Sequence, residues 1–391
     1  MQPSTRNSPL RVLQICEATN AGVGRHTMDL CNGLLESGCD VHLIYSRKRI
    51  DDGFEFQLKR LPLLKTAVVN MRRGPHFSDF PAIQKIRSYL KKHGPFDIIH
   101  GQSSKGGALA RLVGTTRKTP IVYTPNCIST MAPTFGKFSR ISYGLIERLL
   151  ATPTSIIICT SPDELEHIHA LGVPRKKLRL IYYGIELPPE TNCQRIRASN
   201  DLQPDAIIVG FVGRLSAQKN PEMLVRAFAQ AARDIPKARL AIIGIGELEA
   251  PLKQVASTLG IADRIDWLGY RIGYHTMPAF DILAVPSRYD TGPIVMMEAM
   301  ALGIPIVITN VGCVRYVMKH EENGFVVEPN DMDGFASSLC KLLSSAETRK
   351  RLAAAACAKA VEFKHETMIE KTLSVYNEAI AGNNRSATIP M

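Results

Sequence analysis

Apolar residues recur along this chain in short runs, and between the runs they fall at helical spacing, the pattern of strands alternating with helices. Arg11–Cys16 reads as a strand, Asn20-Ala-Gly22-Val-Gly24 as a glycine-containing loop and residues 25–37 as an amphipathic helix ended by Gly38, with the next strand at 40–46. A strand-loop-helix-strand unit of this kind builds a doubly wound sheet. Further strands are predicted at 98–100, Ile121–Thr124, Ile156–Cys159 and 180–182. The polar, proline-containing stretch Leu187-Pro-Pro-Glu-Thr-Asn reads as a hinge. Beyond it the alternation restarts, with strands expected at Ile207–Val212, 240–243, Ile282–Val285, 305–309 and Phe325–Val327 and helices at 221–233 and 247–259. The fold class is therefore α/β, with two Rossmann-like, doubly wound domains facing a central cleft. Residues 1–187 form the first domain and 188–365 the second. In 366–391 a helix near 368–381 packs back on the first domain, and 382–391 form a loose tail. Ligands of such sheets bind beyond the carboxyl ends of the strands.

A length of 391 residues suits two domains of roughly 150–200 residues each. The polar start MQPSTRNSPLRVLQIC carries only a strand-sized apolar run, which predicts no secretory leader. The long apolar stretch 294–308 contains Glu298, Gly303 and Pro305, so it reads as helix, turn and strand instead of a membrane span. Nine scattered cysteines without a Cys-x-x-Cys pair fit small apolar residues in a reducing cytosol.

The charge is uneven. Residues 1–190 hold 26 basic against 15 acidic residues, a surplus of eleven, within a net charge of +12. Between Lys59 and Lys92 there are nine basic residues and one acid, Asp79, interleaved with Leu61, Leu63, Leu64, Val68, Phe77 and Phe80. This stretch fits peripheral contact with an anionic membrane surface. A solvated face is the other reading. Nucleic acid is disfavoured because only 6% of residues are aromatic and no binding module is present.

Three segments carry chemistry. Gly22 and Gly24 sit between a strand and a helix, where glycine lets a phosphate approach backbone N–H groups, although a tight turn would use them too. Gly213-Arg214-Leu-Ser-Ala-Gln-Lys219-Asn220 follows a strand end directly, and its two cations suit a diphosphate. In PSRYDTGPIVMMEAMALGIPIV, Pro293 suits the first helical position and Gly303 and Pro305 end the helix. Asp290 then precedes the helix and Glu298 lies within it, carboxylates suited to sugar and ribose hydroxyls. The N–H groups of Ile294 and Val295 suit phosphate.

Together these segments resemble the group 1 glycosyltransferases, the retaining family 4 with the GT-B fold, over almost the whole chain. PSRYDTGPIVMMEAMALGIPIV is similar to the family's E-x7-E motif and GRLSAQKN to its phosphate-binding segment. WLGY at 267–270 resembles its base-contacting loop, and FDIIHGQSS its D-x-x-H strand end. The resemblance implies that Arg214 and Lys219 neutralise the leaving diphosphate, Glu298 holds the ribose, Asp290 touches the donor sugar and Tyr270 meets the base. Gly22 and Gly24 approach the phosphates, and His100 and Asn126 lie on the acceptor side. Asp290 stands for the family's usual Glu, Asn126 for a His, Gly312-Cys313 for Gly-Gly, and Tyr316 near a usual Glu.

The implied reaction moves a hexose from a UDP- or GDP-sugar to a lipid-linked oligosaccharide of an envelope polysaccharide, on the cytoplasmic face of the inner membrane. No tightly bound cofactor is expected, and without an Asp-x-Asp motif in the cleft segments no metal is expected. A nicotinamide-dependent dehydrogenase would need a complete G-x-G-x-x-G with an acid about 20 residues on, and neither domain has one. A GT-B epimerase would use the same nucleotide site without an acceptor.

Overall fold

The computed structural model describes residues 8–114, 119–131, 136–185, 192–290 and 292–387. The expected hinge at 187–192 lies outside the described residues except for Asn192, as do the boundary at 187/188, Thr291 and 388–391.

The chain divides into two units, Met1–Gly184 with His365–Met391, and Ile185–Lys364. In the first, β1 (Arg11–Cys16), β2 (Asp40–Tyr45), β3 (Lys65–Val68), β4 (Ile98–Gln102), β5 (Ile121–Thr124), β6 (Ile156–Cys159) and β7 (Leu178–Leu180) form a parallel sheet ordered β3-β2-β1-β4-β5-β6-β7. Its helices are α1 (Ala21–Glu36), α2 (Asp52–Arg60), α3 (Asp79–His93), α4 (Ser103–Gly114), α5 (Lys137–Leu150) and α6 (Pro162–Ala170).

In the second unit, β8 (Ile207–Val212), β9 (Ala238–Ile243), β10 (Ile265–Gly269), β11 (Ile282–Val285), β12 (Ile306–Thr309) and β13 (Phe325–Val327) are ordered β10-β9-β8-β11-β12-β13, again parallel. Its helices are α7 (Cys193–Ser199), α8 (Pro221–Ala231), α9 (Glu249–Thr258), α10 (Gly273–Thr276), α11 (Ile294–Ala301), α12 (Val314–Val317), α13 (Met332–Ser344) and α14 (Ala346–Ala360). The last helix, α15 (His365–Ala387), returns to the first unit, where Met368, Ile369, Val375 and Tyr376 join the core around α1 and β2.

Central strands of a parallel sheet are covered on both faces, so they need unbroken apolar runs. Val209 and Phe211 of β8 pack with Leu224 and Phe228 of α8 and Phe335 and Leu339 of α13, all essentially inaccessible. Each such side chain contributes about 1.5–3 kcal/mol of burial. Helix starts are capped where sequence provides the oxygen. Ser161 accepts from Glu164 N at 3.1 Å ahead of Pro162, and Asp51 accepts from Phe54 N at 2.9 Å.

Four expectations are corrected. β3 and β10 were not anticipated, because an edge strand pairs on one side and needs no apolar run. Lys65-Thr-Ala-Val is mostly exposed and pairs with β2 alone. β7 begins two residues earlier than 180–182. Helix α1 starts at Ala21, which puts Gly22 and Gly24 in its first turn instead of in a loop. Residues 382–387, expected in a loose tail, continue α15, since Gly382 weakens a helix by only about 1 kcal/mol relative to alanine. Five cysteines are buried as small apolar residues are, while Cys340 and Cys357 are exposed.

Candidate functional site

The order of the second sheet reverses at β8. Its successors β9 and β10 lie on one side and β11, β12 and β13 on the other. The loops leaving β8 and β11 therefore diverge and open a crevice at their carboxyl ends, the usual ligand position of such a sheet. The two chemically loaded segments are those two loops, 213–220 and 286–293.

Backbone contacts fix the first loop. Leu215 is fully buried and its N–H donates to Ile245 O at 3.1 Å, while its neighbour Arg214 is exposed. Gly244, at φ +140°, passes so close that a Cβ there would lie 1.9 Å from Gly213 O, so only glycine fits. The loop ends at Asn220, and Pro221 opens α8.

The second loop is laced to the first. Arg288 N donates to Gln218 O at 2.8 Å and Gln218 Nε2 to Tyr289 O at 3.3 Å. Lys219 Nζ donates to Asp290 Oδ2 at 2.5 Å, and Asp290 Oδ1 accepts from Gly292 N at 3.4 Å. Pro293 is the residue before α11 and not its first helical residue. Ile294 and Val295 lie in the first turn of α11, where backbone N–H groups are turned toward the helix N-terminus. Glu298 is 5% exposed in a helix otherwise buried through Met296, Met297, Ala299 and Met300. The helix closes with Gly303 N on Met300 O at 3.1 Å and Ile304 N on Ala299 O at 2.8 Å. Tyr270 follows β10, two strands along the same edge, and is half-buried. Cys313 is fully buried and Tyr316 is 48% exposed.

The structure thus ties the loop after β8 to the loop after β11 through the Lys219–Asp290 pair, with Arg214 exposed on the first loop and Ile294, Val295 and the buried Glu298 on the helix that follows the second. The sequence assigned Lys219 and Asp290 to different groups of a ligand; the structure pairs them with each other.

In the first unit the sheet order reverses between β1 and β4. Gly24 lies at that point, and a Cβ on it would come 2.8 Å from the Thr19 carbonyl carbon. A run of buried polar side chains crosses β1, β4 and β5. Tyr183 Oη donates to Asn126 Oδ1 at 3.1 Å, Asn126 Nδ2 to Gln102 Oε1 at 2.9 Å, and Gln102 Nε2 to Gln14 Oε1 at 3.1 Å. Gln14 Nε2 donates to Tyr376 Oη at 3.0 Å, and that oxygen lies 2.7 Å from His100 Nδ1. His100 Nε2 lies 2.8 Å from Thr124 Oγ1. The Tyr376 and Thr124 hydroxyls thus engage the two ring nitrogens of His100, one on each side of the ring.

His100 is one of the two residues that the resemblance places on the acceptor side. It is 1% exposed, both ring nitrogens are engaged, and burial pushes its pKa down to about 3. Asn126 is 6% exposed at φ +53°, and Glu164 fixes the turn after it by accepting from Cys127 N and Ile128 N, each at 3.0 Å. His26, 4.7 Å ring to ring from Tyr183, is likewise held neutral by burial, with its pKa lowered to about 3. The sequence reading passed over Gln14, Gln102, His26, Tyr183 and Tyr376. Its one available signal was Gln14 within the apolar run Arg-Val-Leu-Gln-Ile-Cys, since a glutamine on a buried strand needs partners.

Among the described residues no three His, Cys, Asp or Glu side chains group to hold a metal ion, and no helix is long and apolar enough to cross a membrane.

Comparison with known proteins gives a consistent picture. Two family descriptions match, "Glycosyl transferases group 1" over 192–359 and "Glycosyltransferase Family 4" over 20–187. An uncharacterised glycosyltransferase of Methanocaldococcus jannaschii is 31% identical over 92% of this chain and 95% of its own length. An Escherichia coli UDP-Gal:alpha-D-GlcNAc-diphosphoundecaprenol alpha-1,3-galactosyltransferase is 29% identical over 68% of this chain and 70% of its own. Among solved structures, Anabaena HepE in complex with UDP and glucose superposes with a TM-score of 0.79 at 18% identity, covering 94% of this chain and 99% of that one. WaaG, a glycosyltransferase involved in lipopolysaccharide biosynthesis, superposes at 0.73 and 16%, covering 93% and 99%. These superpositions share the GT-B fold of two Rossmann-like domains.

Proposed function

We propose that this chain, which belongs to the group 1 glycosyltransferases of family 4, moves a hexose from a UDP- or GDP-sugar to a hydroxyl of a lipid-linked oligosaccharide, with retention of anomeric configuration. The observation that carries this is the Lys219–Asp290 pair joining the β8 and β11 loops at the sheet's switch point, with Arg214 on the first loop and the α11 N-terminus and Glu298 directly after the second.

As the glycosidic bond of the donor breaks, negative charge grows on the departing diphosphate. The Arg214 guanidinium, the Lys219 ammonium and the N–H groups of Ile294 and Val295 stabilise it, preorganised donors aimed at developing charge. These cations do the work a metal would do, so none is required. Asp290 accepts from a hydroxyl of the donor sugar, Glu298 from the ribose, and Tyr270 contacts the base. The acceptor hydroxyl attacks on the face the diphosphate leaves, and its proton passes to a phosphate oxygen of the donor.

The lipid-linked acceptor is supported by the diphosphoundecaprenol substrate named for the E. coli relative. On this reading the reaction belongs to envelope polysaccharide synthesis at the cytoplasmic face of the inner membrane, with the basic stretch 59–92 against anionic headgroups. The test is thermal unfolding of wild type, Arg214→Ala and Glu298→Ala with UDP, GDP and NAD. UDP or GDP raises the midpoint of wild type and of neither variant. No nucleotide effect, or one from NAD alone, overturns the proposal.

A further inference from the structure

Among the described residues fifteen large apolar side chains are exposed, and five of them sit on α5: Phe138 at 90%, Ile141 at 61%, Leu145 at 56%, Ile146 at 40% and Leu149 at 71%. Phe138, Ile141, Leu145 and Leu149 follow one another at spacings of three and four residues and form a single stripe. The opposite face, turned inward, is the polar one. Glu147 Oε2 accepts from the fully buried Arg111 Nη1 at 2.7 Å, and its Oε1 accepts from Tyr123 Oη at 3.2 Å. The Arg111 guanidinium lies 4.0 Å from the Tyr123 ring centroid. Gly144 sits close enough to Leu171 that a Cβ would meet it at 3.2 Å. This helix is inverted relative to an ordinary surface helix. Its ion pair is buried and its apolar stripe faces out, so rolling to hide the stripe would expose that pair.

We infer that α5 is an interfacial helix that lays Phe138, Ile141, Leu145 and Leu149 into an anionic bilayer surface; this rests on the membrane-bound acceptor proposed above. Charge selects a lipid surface over a second protein copy. The only acid of α5 is the buried Glu147, whereas Arg140 and Arg148 are exposed, and residues 1–190 carry the chain's basic surplus. An apolar stripe flanked by cations matches headgroups and acyl chains together, while a second copy would bring the same cations face to face. The stripe also starts in the right place. Helices α3, α4 and α5 each follow a strand and begin at its carboxyl end, the edge on which substrates bind, and exposed Phe77 and Phe80 lie at the start of α3.

The test is cosedimentation of the full chain with vesicles of phosphatidylglycerol and phosphatidylethanolamine, against pure phosphatidylcholine, for wild type and the double variant Phe138→Ser, Leu149→Ser. Both side chains are exposed, so the variant keeps its thermal midpoint and its response to UDP or GDP. Wild type binds the anionic vesicles and the variant loses at least about tenfold in partition, a loss that persists when salt screens the basic stretch. Equal binding by both proteins overturns the assignment to α5. Wild type that ignores vesicles while UDP or GDP still stabilises it overturns the docking and leaves the transferase reading standing. A wild-type dimer that the substitutions dissociate, without vesicle binding, hands the stripe to a second copy and also overturns it.

Discussion

Lys219 Nζ sits 2.5 Å from Asp290 Oδ2, joining the loop after β8 to the loop after β11 at the point where the sheet order reverses. Both side chains are largely shielded, 24% and 13% exposed. The pair holds a cation and an acceptor at fixed separation, so neither residue acts independently. Removing one partner leaves the other's charge poorly compensated. Single alanine substitutions at 219 and 290 are therefore non-additive for nucleotide-sugar binding, with a coupling of about 1–3 kcal/mol in a double-mutant cycle. Additive losses would mean that the pair does not operate as one unit.

Arg214 is exposed, and its side chain is aimed away from the core by the burial of Leu215. Its substitution by alanine leaves urea stability within about 0.5 kcal/mol of wild type. It lowers kcat for transfer by about a hundredfold, the usual loss for one preorganised donor at developing charge. Lys at 214 restores only part of the rate, because it lacks the planar fork.

Gly244 has the opposite profile. Its φ of +140° and the 1.9 Å approach to Gly213 O leave no space for a methyl group. Gly244→Ala displaces the 213–215 backbone, lowering stability by about 2 kcal/mol or more and weakening nucleotide binding together with it. Urea melts and nucleotide titration on the same variant check both effects.

The buried amide chain makes a directional prediction. Asn126 donates to Gln102 and accepts from Tyr183, so aspartate at 126 keeps the acceptor and loses the donor. Asn126→Asp should cost about 1–3 kcal/mol in denaturant unfolding, the penalty of an unmet buried polar group. Tyr376→Phe breaks the same chain one helix away, on α15, and should also destabilise the first unit.

His26 and His100 set the acid limit. Both are neutral when folded, with pKa lowered by burial to about 3 from an unfolded value near 6.5. Between those values the unfolded chain binds more protons than the folded one, so stability is full above about pH 6.5 and falls as pH drops toward 3. Each histidine contributes a slope of about 1.4 kcal/mol per pH unit. Unfolding free energies from pH 7 to 4 check this, and His100→Gln should flatten the curve.

Much of the architecture was legible in the chain. The interior strands β5, β6, β8, β11 and β12 are largely apolar runs because both faces of a parallel sheet are covered, and a run of that kind has few other uses. The motif segments were legible for a related reason. Glycine, proline and charge crowded at a strand end conflict with ordinary packing and signal a ligand. The edge strands β3 and β10, buried on fewer sides, left no such imprint. What tertiary structure alone decided is which groups meet. Lys219 and Asp290 are 71 residues apart, Gln14 and Tyr376 are 362 apart, and no local periodicity encodes either pairing. The same holds for α5. Its heptad-like apolar stripe reads in sequence as a core face, and only the buried Arg111–Glu147 pair beneath it turns that stripe outward. Local sequence determines the period of a segment, whereas the direction it faces follows from the partners the fold brings to its other side.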